Sequence, residues 1–350
     1  MKKVKVGLVG AAFAAGLHID AYSRCQDISE VIAVCDKNIE LARNFANKFG
    51  IAYVFDNADD LLKLPDIDVV DICLPNFLHC EIAVKAFSAG KHVISEKPLG
   101  ISVEEAESMV AASKQAGKQL FYAEDWMFAP ALIRAQEIID QGAIGNVLFI
   151  KAKEAHNGSH SPFAQKIKFC GGGCMIHLGI HPLGFLHAIK GMPTEVVAMT
   201  SGGLDKNFVH KGMEGEDWGA ALLRFADGST ALAEANYVTT GGMVDVVEFY
   251  GSEGRLNVDL TMGSPLTAYS RPGFDYAVEK ADTTKGWTKP AVDEKLMLGY
   301  VGEIRHFMTC VLEDKSAMKG LTGQDGLQVL KILAAIYESA RTGCKVSPRS

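Results

Sequence analysis

Short apolar runs alternate with amphipathic helical patterns along the first third of the chain. The run at residues 4–9 is rich in β-branched residues and is followed by a glycine. The run at 31–35 is followed by an aspartate, and the run at 69–74 is followed by a proline. Runs that are short, apolar throughout and separated by helices are typical of parallel strands covered by helices on both faces. The pattern predicts a doubly wound α/β domain with a parallel sheet over residues 1–124.

Beyond residue 125 the apolar runs become longer and alternate with polar residues. Because single cores rarely grow beyond about 250–300 residues, a chain of 350 residues is expected to contain a second domain. The pattern predicts an α+β domain over 125–350, built on a large, open, mostly antiparallel sheet and closed by C-terminal helices. Its predicted strands are residues 146–156, 195–201, 219–225, 229–238 and 244–251.

The composition excludes several kinds of partner. The net charge is −7 and no dense Lys/Arg cluster is present, whereas nucleic-acid-binding proteins display a basic face. We therefore expect neither a nucleic acid nor a membrane as a partner. No stretch approaches the roughly 18 apolar residues of a membrane span, which predicts a cytoplasmic protein. The eight cysteines are scattered without a C-x-x-C pair, as expected for reduced thiols.

A glycine turn joins the first predicted strand to the first predicted helix. Such a turn lets main-chain amides approach a pyrophosphate at a helix N-terminus, so Gly10, Ala12, Phe13 and Ala14 are predicted to bind a dinucleotide. Compared with the G-x-G-x-x-G pattern, Ala12 and Ala15 replace the second and third glycines. Because alanine resists positive φ, the approach at Ala12 is expected to be less close. The alternative is a plain strand–turn–helix connection.

An acidic residue follows the second predicted strand. A carboxylate at this place accepts hydrogen bonds from ribose hydroxyls and repels a 2′-phosphate, so Asp36 predicts NAD as the cofactor, with NADP disfavoured. Lys37 beside it is expected to weaken that preference. The alternative for Asp36 is a capping role at the start of the next helix.

The turn after the third long run, at residues 74–79, is a second part of the predicted cofactor site. Turns at the carboxyl ends of parallel strands line the cofactor crevice, so Leu74, Pro75, Asn76 and His79 are predicted contacts, with Asn76 near the nicotinamide ribose. The alternative for His79 is a residue in the first turn of a helix without a ligand role.

A lysine and two histidines carry the predicted chemistry. Glu96 and Lys97 precede Pro98 directly after a predicted strand, and His177 and His181 follow a run of three glycines. Oxidation of an alcohol requires a base near neutral pKa, for which histidine is suited, and a lysine stabilises a developing alkoxide. We predict a nicotinamide–sugar site between two domains with Lys97, His177 and His181 as catalytic residues, and Glu96 and Lys97 also near the cofactor. The alternative for Lys97 is a surface lysine.

A cluster of nitrogen and carboxylate side chains surrounds the predicted histidines. Glu154, His156, His160, His177 and His181 are close in sequence or share strand or helix spacing, and such ligands suit zinc or manganese. The favoured interpretation is a sugar pocket in which histidines form hydrogen bonds; a divalent metal that polarises the substrate hydroxyl is the alternative. The predicted substrate contacts are Lys97, Glu124, Trp126, His156, His177 and His181.

Several of these motifs together resemble the Gfo/Idh/MocA family, which includes glucose–fructose oxidoreductase and inositol dehydrogenase. The resemblance covers essentially the whole chain, and its most specific points are Ala89-Gly90-Lys91-His92-Val93 before Glu96-Lys97-Pro98, Gly142-x2-Gly145, Gly171-Gly172-Gly173 with Gly179-x-His181, and Tyr337-Glu338-Ser339-Ala340-x2-Gly343. The resemblance implies a Rossmann-type first domain and a second domain whose sheet lines the substrate site and whose outer face forms a homodimer or homotetramer. It also implies that NAD(P) oxidises or reduces one hydroxyl of a sugar, inositol or related polyol.

The resemblance also implies roles for two residues. Lys97 corresponds to the lysine of the Glu-Lys-Pro motif, which holds the substrate hydroxyl and assists proton transfer. His181 corresponds to the histidine of a D-x-G-x-H pattern, the acid/base. The aspartate of that pattern is replaced by His177 in this chain, so the usual hydrogen-bond pairing does not carry over.

Two other functions remain open at this stage. Some relatives cleave glycosidic bonds by transient oxidation and re-reduction of the sugar, with NAD kept bound and no net redox change; the additional histidine at position 177 is compatible with that chemistry. A dinucleotide or sugar sensor on the same fold is the third interpretation, although both Lys97 and His181 are present.

Overall fold

The chain folds into two compact units. The computed structural model describes residues 2–159, 161–264, 266–275 and 280–348. The first unit contains the chain up to Asp125 together with Tyr300–Leu330, and the second contains Trp126–Gly299 together with the segment from Lys331 onward.

The first unit is built on a six-stranded parallel sheet with the order β3-β2-β1-β4-β5-β6. The chain order reverses between β1 and β4, where α/β sheets of this kind bind their ligands at the carboxyl ends of the strands. The predicted doubly wound parallel sheet is thereby confirmed. The strands are β1 (Val4–Val9), β2 (Ser29–Cys35), β3 (Tyr53–Phe55), β4 (Val69–Ile72), β5 (His92–Ser95) and β6 (Leu120–Tyr122). The helices are α1 (Phe13–Ser23), α2 (Ile39–Phe49), α3 (Ala58–Leu62), α4 (His79–Ser88) and α5 (Val103–Ala116).

The second unit is built on a mixed six-stranded sheet with the order β12-β11-β7-β10-β9-β8. β7 and β10 are parallel, whereas the other neighbouring strands are antiparallel. The predicted open, mostly antiparallel sheet is confirmed. The strands are β7 (Val147–Ala155), β8 (Glu195–Thr200), β9 (Trp218–Arg224), β10 (Thr230–Asn236), β11 (Val244–Gly251) and β12 (Arg255–Asp259), and a separate ribbon contains β13 (Ala268–Ser270) and β14 (Gly286–Thr288).

The helices of the second unit cover one face of this sheet. Alternate residues of β7 point to opposite faces, so Ile150, Ala152 and Glu154 are buried while Lys151 and Lys153 are partly exposed. α8 and α9 contact β10 on the buried face. The helices are α6 (Pro130–Asp140), α7 (Ile167–Cys170), α8 (Cys174–His177), α9 (Ile180–Lys190) and α10 (Glu294–Leu298).

No single helix in the described part of the chain is long and apolar enough to cross a membrane. One bent pair, Ile167–His177 with Ile180–Lys190 at an angle of 60°, passes the same test by length and composition alone.

The run of glycines before α8 is a packing requirement. A Cβ at Gly173 would lie 2.0 Å from the main-chain oxygen of Glu216. The buried Glu216 carboxylate accepts hydrogen bonds from the main-chain nitrogens of Gly173 and Met175 and from the Tyr337 hydroxyl. The glycine therefore allows the main chain to approach a buried carboxylate that fixes the start of α8.

The C-terminal helical region is shared by the two units. α11 (Tyr300–Glu313) packs on α1, and the Phe307 ring lies 4.9 Å from the Phe121 ring. The main-chain nitrogen of Tyr122 donates a hydrogen bond to the Leu321 carbonyl. This arrangement differs from the predicted assignment of residues 125–350 to one domain, because packing between segments so far apart leaves no local signal in the sequence. α12 (Gly323–Thr342) continues from the first unit into the second.

The packing of α11 in the first unit leads to a prediction about stability. Replacing the fully buried Phe307 by alanine removes its contact with Phe121 and leaves a cavity, so we expect a loss of about 3–5 kcal/mol in unfolding free energy. Chemical denaturation followed by circular dichroism measures the loss. Tyr53→Ala, at an exposed position, is the control and should change stability by less than about 0.5 kcal/mol. Equal effects of the two substitutions would contradict this packing.

Candidate active site

The turn after β1 requires the glycine at its first position. Gly10 has φ +110°, and a Cβ there would lie 2.2 Å from the Cys73 carbonyl oxygen. Its main-chain nitrogen donates to the Cys35 carbonyl at 2.8 Å. The turn therefore runs against the residues that follow β4 and the end of β2, and any side chain would force these segments apart.

Alanine is compatible with the next position of the turn. Ala12 precedes α1 with φ −96° and ψ −153°, an extended conformation, so the expected penalty for alanine does not arise here. The N-cap residue Ala12 has no side-chain group that could cap this helix end, and the first turn of α1, which includes Phe13 and Ala14, has no acidic residue. Amides at an uncapped helix N-terminus attract phosphate groups. The turn thus fits the pyrophosphate of a dinucleotide.

Asp36 is bonded to the glycine turn and does not cap a helix. Its Oδ2 accepts from the Ala11 main-chain nitrogen at 3.0 Å, and its Oδ1 accepts from that of Asn38 at 2.9 Å. Asn38 is the residue that caps α2, through Leu41. Because a carboxylate oxygen accepts more than one hydrogen bond, Asp36 retains capacity for ribose hydroxyls. Lys37 beside it is exposed.

The turn after β4 contains the remaining predicted cofactor residues of the first unit. Leu74, Pro75 and Asn76 are half-buried, and Asn76 begins a short 3-10 turn. His79 begins α4, and its ring nitrogens each lie 2.8 Å from a main-chain oxygen, of Pro98 and Leu74. Burial lowers the pKa of His79. The His79 imidazole therefore holds the turn at residues 74–79 next to the Glu-Lys-Pro segment. This corresponds to the alternative considered for His79, a residue in the first turn of a helix without a ligand role.

Lys97 follows β5 at the same edge of the sheet as Gly10 and Asp36, because all six strands are parallel. It is half-buried, and its peptide bond to Pro98 is cis. Its main-chain nitrogen donates to Glu96 Oε2 at 3.0 Å. The main chain at Lys97 is thus held by the side chain of the preceding residue, Glu96.

His181 lies in a buried polar cluster of the second unit. Its ring stacks on Trp126, with a centroid distance of 5.9 Å and an interplanar angle of 14°. Its Nε2 lies 3.8 Å from Glu154 Oε2, and both side chains are nearly inaccessible to solvent. A carboxylate at this distance stabilises positive charge on an imidazole that accepts a proton. The geometry therefore suits His181 to acid/base chemistry.

His177 and His181 are not aligned on one helix. α8 ends at His177 and α9 begins at Ile180, with Gly179 between them, so the helical i, i+4 relation considered for the pair is absent. His177 instead lies beside Tyr237, with a ring distance of 6.1 Å. The His156 ring is a second neighbour of Tyr237, at a centroid distance of 5.6 Å.

Tyr237 was missed in the sequence although it contacts two predicted residues. It directly follows β10, at the end where β10 pairs with β7 in parallel, so it ends up level with His156. Burial raises the pKa of Tyr237 well above its ordinary value. In the sequence, the only indication of its role was the position of Tyr237 immediately after a strand in which buried and partly exposed residues alternate.

The predicted metal ligands do not converge. Within the described residues, no three of Glu154, His156, His177 and His181 bring ligand atoms within 4.8 Å of one another. His160, considered with them, lies outside the described residues. Glu124 is fully buried and belongs to the first unit, whereas Trp126 belongs to the second.

Comparisons with known proteins identify both halves of the chain. Residues 4–124 match the family model described as "Oxidoreductase family, NAD-binding Rossmann fold", and residues 132–257 match "GFO/IDH/MocA C-terminal domain". The match of the first unit agrees with the dinucleotide turn at Gly10 and with Asp36.

Individual relatives match over nearly the full length. Levoglucosan dehydrogenase of Pseudarthrobacter phenanthrenivorans is 28% identical, with 97% of each chain covered. D-apiose dehydrogenase of Paraburkholderia graminis is 28% identical over 100% of this chain and 91% of its own. The crystal structure of GenD2 from gentamicin A biosynthesis in complex with NAD superimposes with a TM-score of 0.92, at 27% identity over 100% of this chain and 97% of that chain. The chain belongs to the Gfo/Idh/MocA family of NAD-binding oxidoreductases.

Proposed function

We propose that this protein is an NAD-dependent dehydrogenase that interconverts a secondary hydroxyl and a ketone on a sugar or related polyol. The observation that carries the proposal is the buried His181, stacked on Trp126 and within 3.8 Å of the Glu154 carboxylate. Relatives that are named levoglucosan and D-apiose dehydrogenases support the substrate class.

The first unit provides the cofactor site in this proposal. The amides that begin α1 would hold the pyrophosphate, Asp36 would accept hydrogen bonds from the ribose hydroxyls, and Leu74, Pro75 and Asn76 would contact the nicotinamide ribose. Asp36 disfavours a 2′-phosphate, so NAD is preferred over NADP. When bound, the nicotinamide supplies the hydride acceptor.

Proton transfer is assigned to His181 and Lys97. His181 accepts the proton of the substrate hydroxyl as the C–H bond breaks, and Glu154 stabilises the imidazolium that forms. The Lys97 ammonium donates a hydrogen bond to the same oxygen and stabilises its developing negative charge. Glu154 thus replaces the aspartate that the family pattern places where this chain has His177.

The other polar residues of the site are assigned to binding of the sugar. His156 and His177 form hydrogen bonds with further hydroxyls, and Glu124 and Trp126 are additional contacts. A divalent metal has no step in this proposal because His181 and Lys97 together account for the proton and the charge.

We also propose that the outer face of the second sheet joins two copies of the chain in a homodimer or homotetramer. Three apolar side chains are exposed there: Val197 and Met199 on β8, at 45% and 70%, and Leu222 on β9, at 53%. Val197 and Leu222 are cross-strand partners, so the apolar residues form one patch. A cytoplasmic location is supported by the eight scattered cysteines, which include no C-x-x-C pair.

An assay for reduced nicotinamide tests the activity directly. Purified protein is mixed with excess NAD and a panel of levoglucosan, D-apiose, inositols and glucosides, and the near-ultraviolet absorbance of NADH is followed. We expect NADH to form in proportion to one of these substrates. A signal that stops at one equivalent per protein while a glycoside is consumed would instead indicate redox-neutral cleavage. No reaction with any compound would contradict the dehydrogenase and favour a sensor.

The matched variant for this assay is Lys97→Met, which keeps an unbranched side chain, one heavy atom shorter, but removes its charge. We expect kcat to fall about 10²–10⁴-fold, while the Kd for NAD, measured by calorimetry, changes little. Lys48→Met, at an exposed lysine of the same unit outside the predicted site, is the control and should retain kcat. Retention of activity by Lys97→Met would remove this lysine from the mechanism.

Substitution of Asp36 tests the cofactor assignment. Asp36→Ala removes the acceptor for the ribose hydroxyls, and the loss of charge-assisted hydrogen bonds worth about 1.5–3 kcal/mol should weaken NAD roughly 10–100-fold. The preference for NAD over NADP should decrease as well. Asp36→Asn retains a hydrogen-bond acceptor for the Ala11 main-chain nitrogen but removes the negative charge. It therefore separates the effect of the charge on cofactor binding from the effect of the turn geometry. An unchanged preference in both variants would contradict a ribose contact.

The outer-face patch predicts the oligomeric state. Met199→Glu with Leu222→Glu places charges in the proposed interface, and light scattering on a sizing column should then detect a monomer in place of the oligomer. Tyr53→Glu, at a residue exposed by 51% in the first unit, is the control and should leave the oligomer intact. A wild-type monomer, or an oligomer that survives both charges, would contradict the proposal.

A further inference from the structure

A buried histidine on α1 contacts two carboxylates from different strands. His18 Nδ1 lies 2.8 Å from Asp71 Oδ2, and His18 Nε2 lies 2.9 Å from Glu96 Oε1. The His18 and Asp71 side chains are inaccessible to solvent, and that of Glu96 is 10% exposed. Asp71 belongs to β4, and Glu96 directly follows β5. The imidazole therefore connects the helix of the dinucleotide turn to two strand ends.

The geometry indicates a cationic imidazole. Only a protonated histidine donates from both ring nitrogens, and both nitrogens here face carboxylate oxygens. Burial by itself would lower the pKa of His18, but its interactions with Asp71 and Cys73 together raise that pKa well above its ordinary value. Buried charges are tolerated when they are paired and hydrogen-bonded.

Asp71 has two further side-chain contacts besides His18. The Tyr22 hydroxyl donates to Asp71 Oδ2 at 2.9 Å, and the Cys73 thiol lies 3.7 Å from Asp71 Oδ1. Burial raises the pKa of Cys73 and also raises the pKa of Glu303, a fully buried residue of α11, well above its ordinary value. These shifts favour the uncharged thiol and the uncharged carboxyl, and His18 is the cation that faces Asp71 and Glu96.

The network ends at the main chain of the proposed catalytic lysine. Glu96 contacts His18 through Oε1 and accepts the Lys97 main-chain N–H through Oε2 at 3.0 Å. One carboxylate therefore has one oxygen on the helix and the other on Lys97. A rotation of Glu96 would release both contacts together.

We propose that His18 is a positioning residue: it holds the Glu96 carboxylate, and through it the main chain of Lys97, at a fixed place relative to α1. His18 touches no reacting atom. The proposal rests on the proposed function only for its effect on catalysis, since the effect on the Lys97 main chain is independent of turnover. It also implies that the helix that binds the pyrophosphate and the segment that carries the lysine move as one body.

Two substitutions separate the two contacts of the imidazole. The amide nitrogen of asparagine stands near the position of histidine Nδ1, so His18→Asn keeps the bond to Asp71 and loses the bond to Glu96. The amide nitrogen of glutamine stands near Nε2, so His18→Gln keeps Glu96 and loses Asp71. Each variant removes the cation and one hydrogen bond, and comparable losses of thermal stability are expected. The pair is therefore a matched control for general destabilisation.

The first readout is hydrogen exchange of the Lys97 amide in enzyme labelled with 15N-lysine, followed by NMR. We expect exchange in His18→Asn to accelerate about tenfold or more, and exchange in His18→Gln to stay close to wild type. The second readout is kcat with the sugar that is oxidised in the panel. It should fall about tenfold or more in His18→Asn, with little change in the KM for NAD, and much less in His18→Gln.

The outcomes distinguish this proposal from the proposed function. If both variants change Lys97 exchange equally, or neither changes it, His18 does not position the segment and the proposal is overturned. If the exchange pattern holds but no sugar is oxidised, positioning stands and the dehydrogenase assignment fails. If His18→Asn does not fold, Glu96→Ala removes the same link while leaving His18 on Asp71. Slow exchange of Lys97 in that variant would also overturn the proposal.

Discussion

The approach of Gly10 to the Cys73 carbonyl is the contact on which the first unit depends. A side chain at this position would overlap the carbonyl oxygen, so the chain turns here only because Gly10 has none. The same turn is bonded to β2 through the Cys35 carbonyl and through Asp36, which accepts the Ala11 N–H. α1 consequently begins at the carboxyl edge of the sheet, with its amides uncapped. The predicted cofactor residues lie together because this one turn joins three strand ends.

The second unit obtains its polar cluster from a different source, the alternation of a β-strand. Glu154 is buried because the period of two places it on the face that the helices cover, together with the other inward residues of β7. His181 reaches this carboxylate from the start of α9. The break at Gly179 separates it from His177, which packs beside Tyr237 instead. Two histidines four residues apart thereby acquire different surroundings.

Buried carboxylates in the two units are satisfied in different ways, and the two in the second unit differ in the direction of their pKa shifts. Three main-chain N–H groups, from residues 208–210, donate to Asp217; although burial opposes this, they lower its pKa. Glu216 accepts hydrogen bonds as well, but complete burial raises its pKa. Asp71 is instead paired with the His18 cation. The two carboxylates of the second unit thus rely largely on main-chain amides, whereas Asp71 relies on the His18 and Tyr22 side chains of α1.

The sequence by itself determined the layered architecture and which residues of the first unit follow the ends of its strands. Short apolar runs alternating with helices specify a covered parallel sheet, and the residues that follow parallel strands must meet at one edge, so the common edge of Gly10, Asp36 and Lys97 could be predicted. The tertiary structure decided what local patterns do not encode: the return of α11 to the first unit, the partnership of His181 with Glu154, and the contacts of His18 with Asp71 and Glu96. The physical reason is the different sequence separation over which these interactions act. Periodicity and turn chemistry act over a few residues, whereas these pairings join side chains that are distant in sequence and are selected by packing and by the need to satisfy buried charge.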